Sequence, residues 1–170
     1  HAPVLMRILF VCLGNICRSP TVEGVARELA RREAPHLQLH FDSAGTADYH
    51  VGDPPDARSI RAALARGYDL SPLRARQRPR DDFNRVDLLL AMAEENLSNM
   101  LRIAPASHVH RARLFLDYAP GTGMASVPDP YYGDAAGFER VIDLAEHGVR
   151  GLLRDIAVAQ RLGEPTPRGR

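Results

Sequence analysis

The chain predicts an α/β fold, a doubly wound domain built on a mostly parallel sheet, and three features carry that expectation. Two short runs, MRILFV (Met6 to Val11) and VDLLLAM (Val86 to Met92), are apolar nearly throughout, as strands buried on both faces must be. Segments with apolar residues at helical spacing alternate with the candidate strands, which is the order of βαβ units. The 170 residues hold no internal repeat, linker or second apolar cluster, which fits one domain around one core.

The elements follow in order. Residues 1–5 are expected to be a tag remnant and flexible start, the domain to span 6–162, and 163–170 (GEPTPRGR from Gly163) to be a frayed tail. The first strand, Met6 to Val11, ends at a Gly14/Asn15 turn signal. Ser19-Pro20 then offers an N-cap followed by proline at the first helical position. Val22, Val25, Ala26, Leu29 and Ala30 repeat behind it on one helical face. Leu37, Leu39 and Phe41 alternate with polar residues, so a second strand is expected to end at Ser43-Ala44-Gly45. A helix over Asp56 to Arg66 closes at Gly67, and Ser71 to Pro79 reads as irregular and arginine-rich. Val86 to Met92 is the third strand and Glu94 to Ile103 a helix. Val109 to Phe115 is a fourth strand, polar enough for a sheet edge. A long loop from Asp117 to Gly133 precedes a last helix, capped by Asp134, whose Phe138, Val141, Ile142, Ala145, Val149, Leu152 and Ile156 form one stripe.

Composition excludes several function classes. No apolar run approaches the roughly 18 residues of a membrane span, so no membrane insertion is expected. Twenty-two basic against 21 acidic residues leave a net charge of +1, too balanced for holding nucleic acid by charge. Two cysteines, Cys12 and Cys17, make neither a disulfide scaffold nor a closed zinc site, and the expected compartment is a reducing cytoplasm.

Chemistry concentrates between the first strand and the first helix, in Cys12-Leu13-Gly14-Asn15-Ile16-Cys17-Arg18-Ser19. Ligands of open parallel sheets bind beyond the carboxyl ends of the strands. A glycine-containing loop leading into a helix turns successive N–H groups inward, and the helix dipole adds positive potential, giving an anion cradle of phosphate size. Cys12 falls where its sulfur can sit at the floor, in a field that favours the nucleophilic thiolate. Arg18 can lay a planar fork across two phosphate oxygens, and Ser19 can donate its hydroxyl to the sulfur. Each residue alone has an ordinary reading, Cys12 as a small core residue and Ser19-Pro20 as a helix cap. Their combination at this spacing and place is what points to catalysis. A metal site would need two more soft ligands, and only His108 and His110 are closely spaced, so neither metal nor cofactor is expected.

A nucleophile on phosphorus also needs an acid for the leaving oxygen. Asp129 lies between Pro128 and Pro130 on the longest loop, with Tyr131 and Tyr132 after it. Asp-Pro is also an ordinary turn signal, but a rigid carboxyl group beside two aromatics suits an aryl phosphate.

These segments, VCLGNICRSP, SAGTADYHVGDPPDAR, RARQ (Arg74 to Gln77) and DPYYG (129–133), resemble the low-molecular-weight protein tyrosine phosphatases, and together they run through nearly the whole chain. The resemblance implies a single three-layer domain: a four-stranded parallel sheet with helices on both faces and the phosphate-binding loop after the first strand. It implies a protein tyrosine phosphatase working through a phosphocysteine intermediate, with tyrosine-phosphorylated proteins as substrates, acting as a monomer or weak dimer. Residue by residue it implies Cys12 as nucleophile, Arg18 as phosphate binder and Asp129 as general acid and later base. Leu13, Gly14, Asn15, Ile16, Cys17 and Ser19 would form the phosphate loop. Ser19 would steady the thiolate, Asn15 and Ser43 would brace the loop, and Tyr49, Tyr131 and Tyr132 would form an aromatic rim. Two positions depart from the pattern: Leu73 and Ala93 stand where many relatives carry His and Asp, so a polar pair behind the loop is replaced by apolar residues.

Three alternatives share parts of this pattern. An arsenate reductase needs further cysteines, and residues 78–100 have none. A non-catalytic phosphotyrosine-binding module would lack the nucleophile or the acid. A phosphoarginine phosphatase needs the same catalytic set, but those that this loop resembles carry Thr where Ile16 stands, and the methyl groups of Ile16 suit a phenyl edge. Cys17 is expected to guard Cys12 against over-oxidation, its alternative being a small core residue.

Overall fold

Four parallel strands lie in the order β2-β1-β3-β4: β1 (Met6–Cys12), β2 (Leu39–Gly45), β3 (Leu88–Ala91) and β4 (Ala112–Leu114). The helices are α1 (Arg18–Glu33), α2 (Ala57–Ala65), the single turn α3 (Asp82–Arg85), α4 (Glu94–Ile103) and α5 (Ala135–Leu162). The computed structural model describes residues 5–14, 16–46, 50–77, 82–131 and 133–164.

Why β1 is apolar on both sides is visible in its partners. Ile8, Phe10 and Cys12 face the larger cluster, built with Val22, Val25 and Leu29 of α1 and Val141, Ala145, Val149 and Leu152 of α5. Leu9 and Val11 face the other way, with Leu89, Ala91 and Met100 of α4. The sheet is thus the middle of three layers, and its central strand ends at Cys12.

The structure revises several boundaries. Strand β2 ends at Gly45 as expected but starts at Leu39 instead of Leu37; its last residues pair with β1, Phe10 with Ser43, Val11 with Ala44 and Cys12 with Gly45. Helix α1 begins at Arg18, so Ser19 is inside the first turn and not at the cap; Cys17 holds the cap position without a side-chain cap hydrogen bond. Pro20 is still tolerated there, since the first turn's N–H groups have no partner within the helix. The fourth strand is cut to Ala112–Leu114 at the sheet edge, and residues 106–111 coil as a 3-10 helix after Pro105. Asp134 holds the cap position of α5, but its carboxylate takes no first-turn N–H.

Two close approaches fix α5 on the sheet. A methyl group on Gly148 would run into the Phe115 ring, and one on Gly151 into the carbonyl oxygen of Tyr118. These glycines let the helix sit directly on the segment after β4, at the cost of helix propensity.

Candidate active site

Cys12 closes β1 with its side chain all but buried, 2% of the residue being exposed, and its Sγ lies 2.9 Å from Ser19 Oγ. Ser19 is fully buried, so its hydroxyl is held against the sulfur and shielded from water. The helix starts two residues earlier than a Ser19 cap would require, so Ser19 falls inside the first turn with its hydroxyl against the sulfur at the strand end. The N–H of Thr46 donates to the Cys12 carbonyl at 2.9 Å, fixing the backbone at the nucleophile.

Arg18 starts α1 with its side chain only 10% exposed. Its Nη1 donates to the Val127 carbonyl at 3.2 Å, and its Nη2 lies 3.7 Å from Asp129 Oδ2. The N–H of Val127 in turn donates to the carbonyl of Met92, just past β3, at 2.7 Å. One arginine therefore links the start of α1 to the loop that carries Asp129. Asp129 is more open, its side chain 40% exposed, and its Oδ1 accepts the N–H of Tyr131 at 3.0 Å.

These side chains meet around a recess of about 150 Å³, lined by Cys12, Gly14, Ile16, Cys17, Arg18, His50, Asp129 and Tyr131. Of the residues expected at the site, Leu13 stands outside this lining and is exposed, and Ser43 is buried in β2. Asn15, Tyr49 and Tyr132 lie outside the described residues. Ser43 donates to Glu23 Oε1 at 2.6 Å, and Arg27 closes on the same carboxylate at 2.6 Å. Burial pushes the Glu23 carboxyl above the usual range, with Ser43 and Arg27 offsetting part of it. Cys17 is pushed up to about 12, first by burial and then by the negative charges of Asp56 and Asp129. At neutral pH it is a protonated thiol and does not compete with Cys12 for phosphorus.

The apolar replacements sit quietly. Ala93 is buried at the start of α4, and Leu73 packs against the larger core cluster. The neighbouring RARQ segment braces the site by backbone bonds instead. The carbonyl of Arg76 accepts the N–H of Gly45 at 2.8 Å and its guanidinium pairs with Asp42 at 2.9 Å, while Ala75 exchanges backbone bonds with Gly52 and Asp53.

Sequence reading passed over His50, Glu23 and Arg58. The His50 ring lies against Gly14, so that a methyl group there would meet its Cδ2 at 2.9 Å, and Nδ1 stands 3.3 Å from Asp53. Glu23 had a signal, an acidic residue between Val22 and Val25 on the buried helix face. His50 and Arg58 had none beyond their places in polar segments.

A buried cysteine and serine at a strand end, an arginine opening the next helix and a carboxyl group across the recess define a thiol-dependent enzyme of phosphate esters on a doubly wound sheet. Residues 7–162 match the family model described as low molecular weight phosphotyrosine protein phosphatase, and the chain belongs to that family of protein-tyrosine phosphatases. A Synechocystis relative is 45% identical over 152 residues, 89% of this chain and 96% of that protein. The low molecular weight protein-tyrosine-phosphatase YfkJ of Bacillus subtilis is 34% identical over 158 residues, 93% of this chain and 100% of that one. Among solved structures, a protein tyrosine phosphatase from Entamoeba histolytica superposes with a TM-score of 0.87 at 34% identity, over 91% of this chain and 99% of that one. The four-stranded parallel sheet with helices on both faces is the architecture expected from the resemblance.

Proposed function

We propose that the protein hydrolyses phosphotyrosine in proteins through a covalent phosphocysteine. The Cys12 sulfur attacks phosphorus, the bond to the phenolic oxygen breaks, and Asp129 gives that oxygen its proton. Water then attacks phosphorus as Asp129 takes a proton from it, the S–P bond breaks, and inorganic phosphate leaves. Arg18 and the loop N–H groups offset the charge on the equatorial oxygens, and Ser19 donates to the sulfur as it departs. One observation carries the reading: the Cys12–Ser19 contact of 2.9 Å lies at the same small recess as Arg18 and Asp129.

Ile16 favours tyrosine over arginine as the phosphate carrier. It lines the recess and offers only methyl groups to the substrate. Tyr131, 36% exposed at the mouth, can stack on a flat ring. Cys12 and Cys17 form no disulfide, and a thiol nucleophile works in a reducing compartment, which supports a cytoplasmic location. Among the described residues no helix is long and apolar enough to cross a membrane.

The test is phosphate release from a phosphotyrosine peptide and from p-nitrophenyl phosphate, in chelator. The protein is expected to turn over both, and Cys12→Ser neither, while Cys12→Ser still binds inorganic phosphate. Full activity of Cys12→Ser would overturn the scheme.

A further inference from the structure

A single guanidinium joins the phosphate loop to the loop of the acid. Asp56 precedes α2, and its N–H donates to the carbonyl of Ile16 at 2.8 Å, hooking the start of that helix onto the phosphate loop. Its carboxylate takes Arg58 as a two-pronged fork, Nε to Oδ1 at 3.0 Å and Nη2 to Oδ2 at 2.9 Å. The same Nη2 donates to the carbonyl oxygen of Tyr131 at 2.9 Å. The guanidinium lies 4.6 Å from the centre of the Phe138 ring and 5.6 Å from that of Tyr131. Tyr131 then passes its own N–H to Asp129 Oδ1.

The loop around Asp129 thus has two anchors. Val127 holds one side, bonded to Met92 and Arg18. Tyr131 holds the other through Arg58. Pro128 and Pro130 restrict the backbone between them, but prolines do not set how far the segment stands from the sulfur. The path Ile16, Asp56, Arg58, Tyr131, Asp129 does. A planar fork can bind a carboxylate and a carbonyl at fixed angles in a way that a lysine ammonium cannot.

We propose that Arg58 is a positioning residue for the general acid, holding the Asp129 carboxyl at its working height over the phosphate loop by clamping Tyr131 to Asp56. The proposal rests on the reading of Asp129 as the acid. Arg58 touches neither phosphorus nor the leaving oxygen. Its loss lets the acid drift, and proton transfer falls off steeply with distance: a misplacement of about 1 Å can cost on the order of 100-fold.

The experiment compares kcat/KM for two esters. Phenyl phosphate has a basic leaving oxygen that needs a proton, whereas 2,4-dinitrophenyl phosphate leaves without one. In Arg58→Ala the phenyl ester is expected to lose about 10- to 100-fold, within the range of a misplaced acid, and the dinitrophenyl ester less than about twofold. Arg58→Lys keeps the charge over Phe138 without the fork and should fall between; if Arg58→Ala does not fold, the lysine variant alone decides the question. Unchanged competitive inhibition by inorganic phosphate reports an intact phosphate loop. An equal loss on both esters, or no loss on either, would overturn the clamp. Asp129→Ala is run alongside. If it too fails to separate the two esters, the reading of the acid itself is wrong, and the clamp falls with it.

Discussion

Removing one oxygen, in Ser19→Ala, tests the chemistry at the sulfur. Ser19 Oγ is 2.9 Å from Cys12 Sγ, and the serine is fully buried, so no water can replace it without the cavity opening. A hydrogen bond to a charged partner contributes about 1.5–3 kcal/mol. At about 1.4 kcal/mol per decade, its loss slows the step it serves by roughly 10- to 150-fold. That step is the second one, in which sulfur leaves as a thiolate and needs a donor. With p-nitrophenyl phosphate, whose first step needs little help, the covalent intermediate should accumulate. Stopped-flow measurement of nitrophenolate absorbance would then show a burst approaching one equivalent, followed by a steady rate reduced by that factor. A steady rate within about twofold of the unmodified protein, with no burst, would show that the contact is packing and not catalysis. The substitution removes no large group, so thermal unfolding should move little.

The other predictions touch separate features. Asp129→Ala should lower kcat/KM on phenyl phosphate by about 10²–10⁴, the span of a general acid, as measured by phosphate release. Gly151→Ala gains about 1 kcal/mol of helix propensity but drives a methyl group into the Tyr118 carbonyl, so Tm should fall by several degrees; Gly121→Ala, with nothing within 4 Å, should not lower it through any clash. Cys17 rises from 9.0 to about 12 in the folded chain, so its stabilising contribution is intact below pH 9.0 and is lost as pH climbs toward 12; Cys17→Ala should flatten the alkaline decline in Tm. Peroxide should inactivate the enzyme reversibly with dithiothreitol, and recovery should be poorer in Cys17→Ala, which lacks the thiol that would take oxidised Cys12 into a disulfide; equal recovery in both proteins would refute this. Ile16→Thr should narrow the preference for phosphotyrosine over phosphoarginine in kcat/KM, because it replaces a methyl group of the recess with a hydroxyl.

What the sequence made legible was whatever is local. The loop from Cys12 to Ser19 is contiguous, so a strand, a turn glycine and a helix start are enough to place a thiol and an arginine around one anion. The central strands were legible because burial on both faces leaves nearly every position apolar, as in Leu88–Ala91. Where the reading missed, a distant partner decided the outcome. Leu37 fits the alternation of the second strand, yet the ladder with β1 begins only at Leu39, opposite Met6. Residues 109–111 look like the start of a strand until β3, only four residues long, leaves them nothing to pair with.

The same rule separates the two tiers of the site. Cys12, Arg18 and Asp129 announce themselves because their chemistry is unusual for their surroundings. Arg58 does not, because a charged residue in the first turn of an amphipathic helix is ordinary, and Asp56 before it turns out to cap that helix: its side chain accepts the Arg58 N–H. The cap and the clamp are one carboxylate in two uses. A cap needs only its own helix. The clamp needs Tyr131, which stands 73 residues further on, and that pairing becomes visible only once α2 and the loop before α5 have been brought to the same edge of the recess.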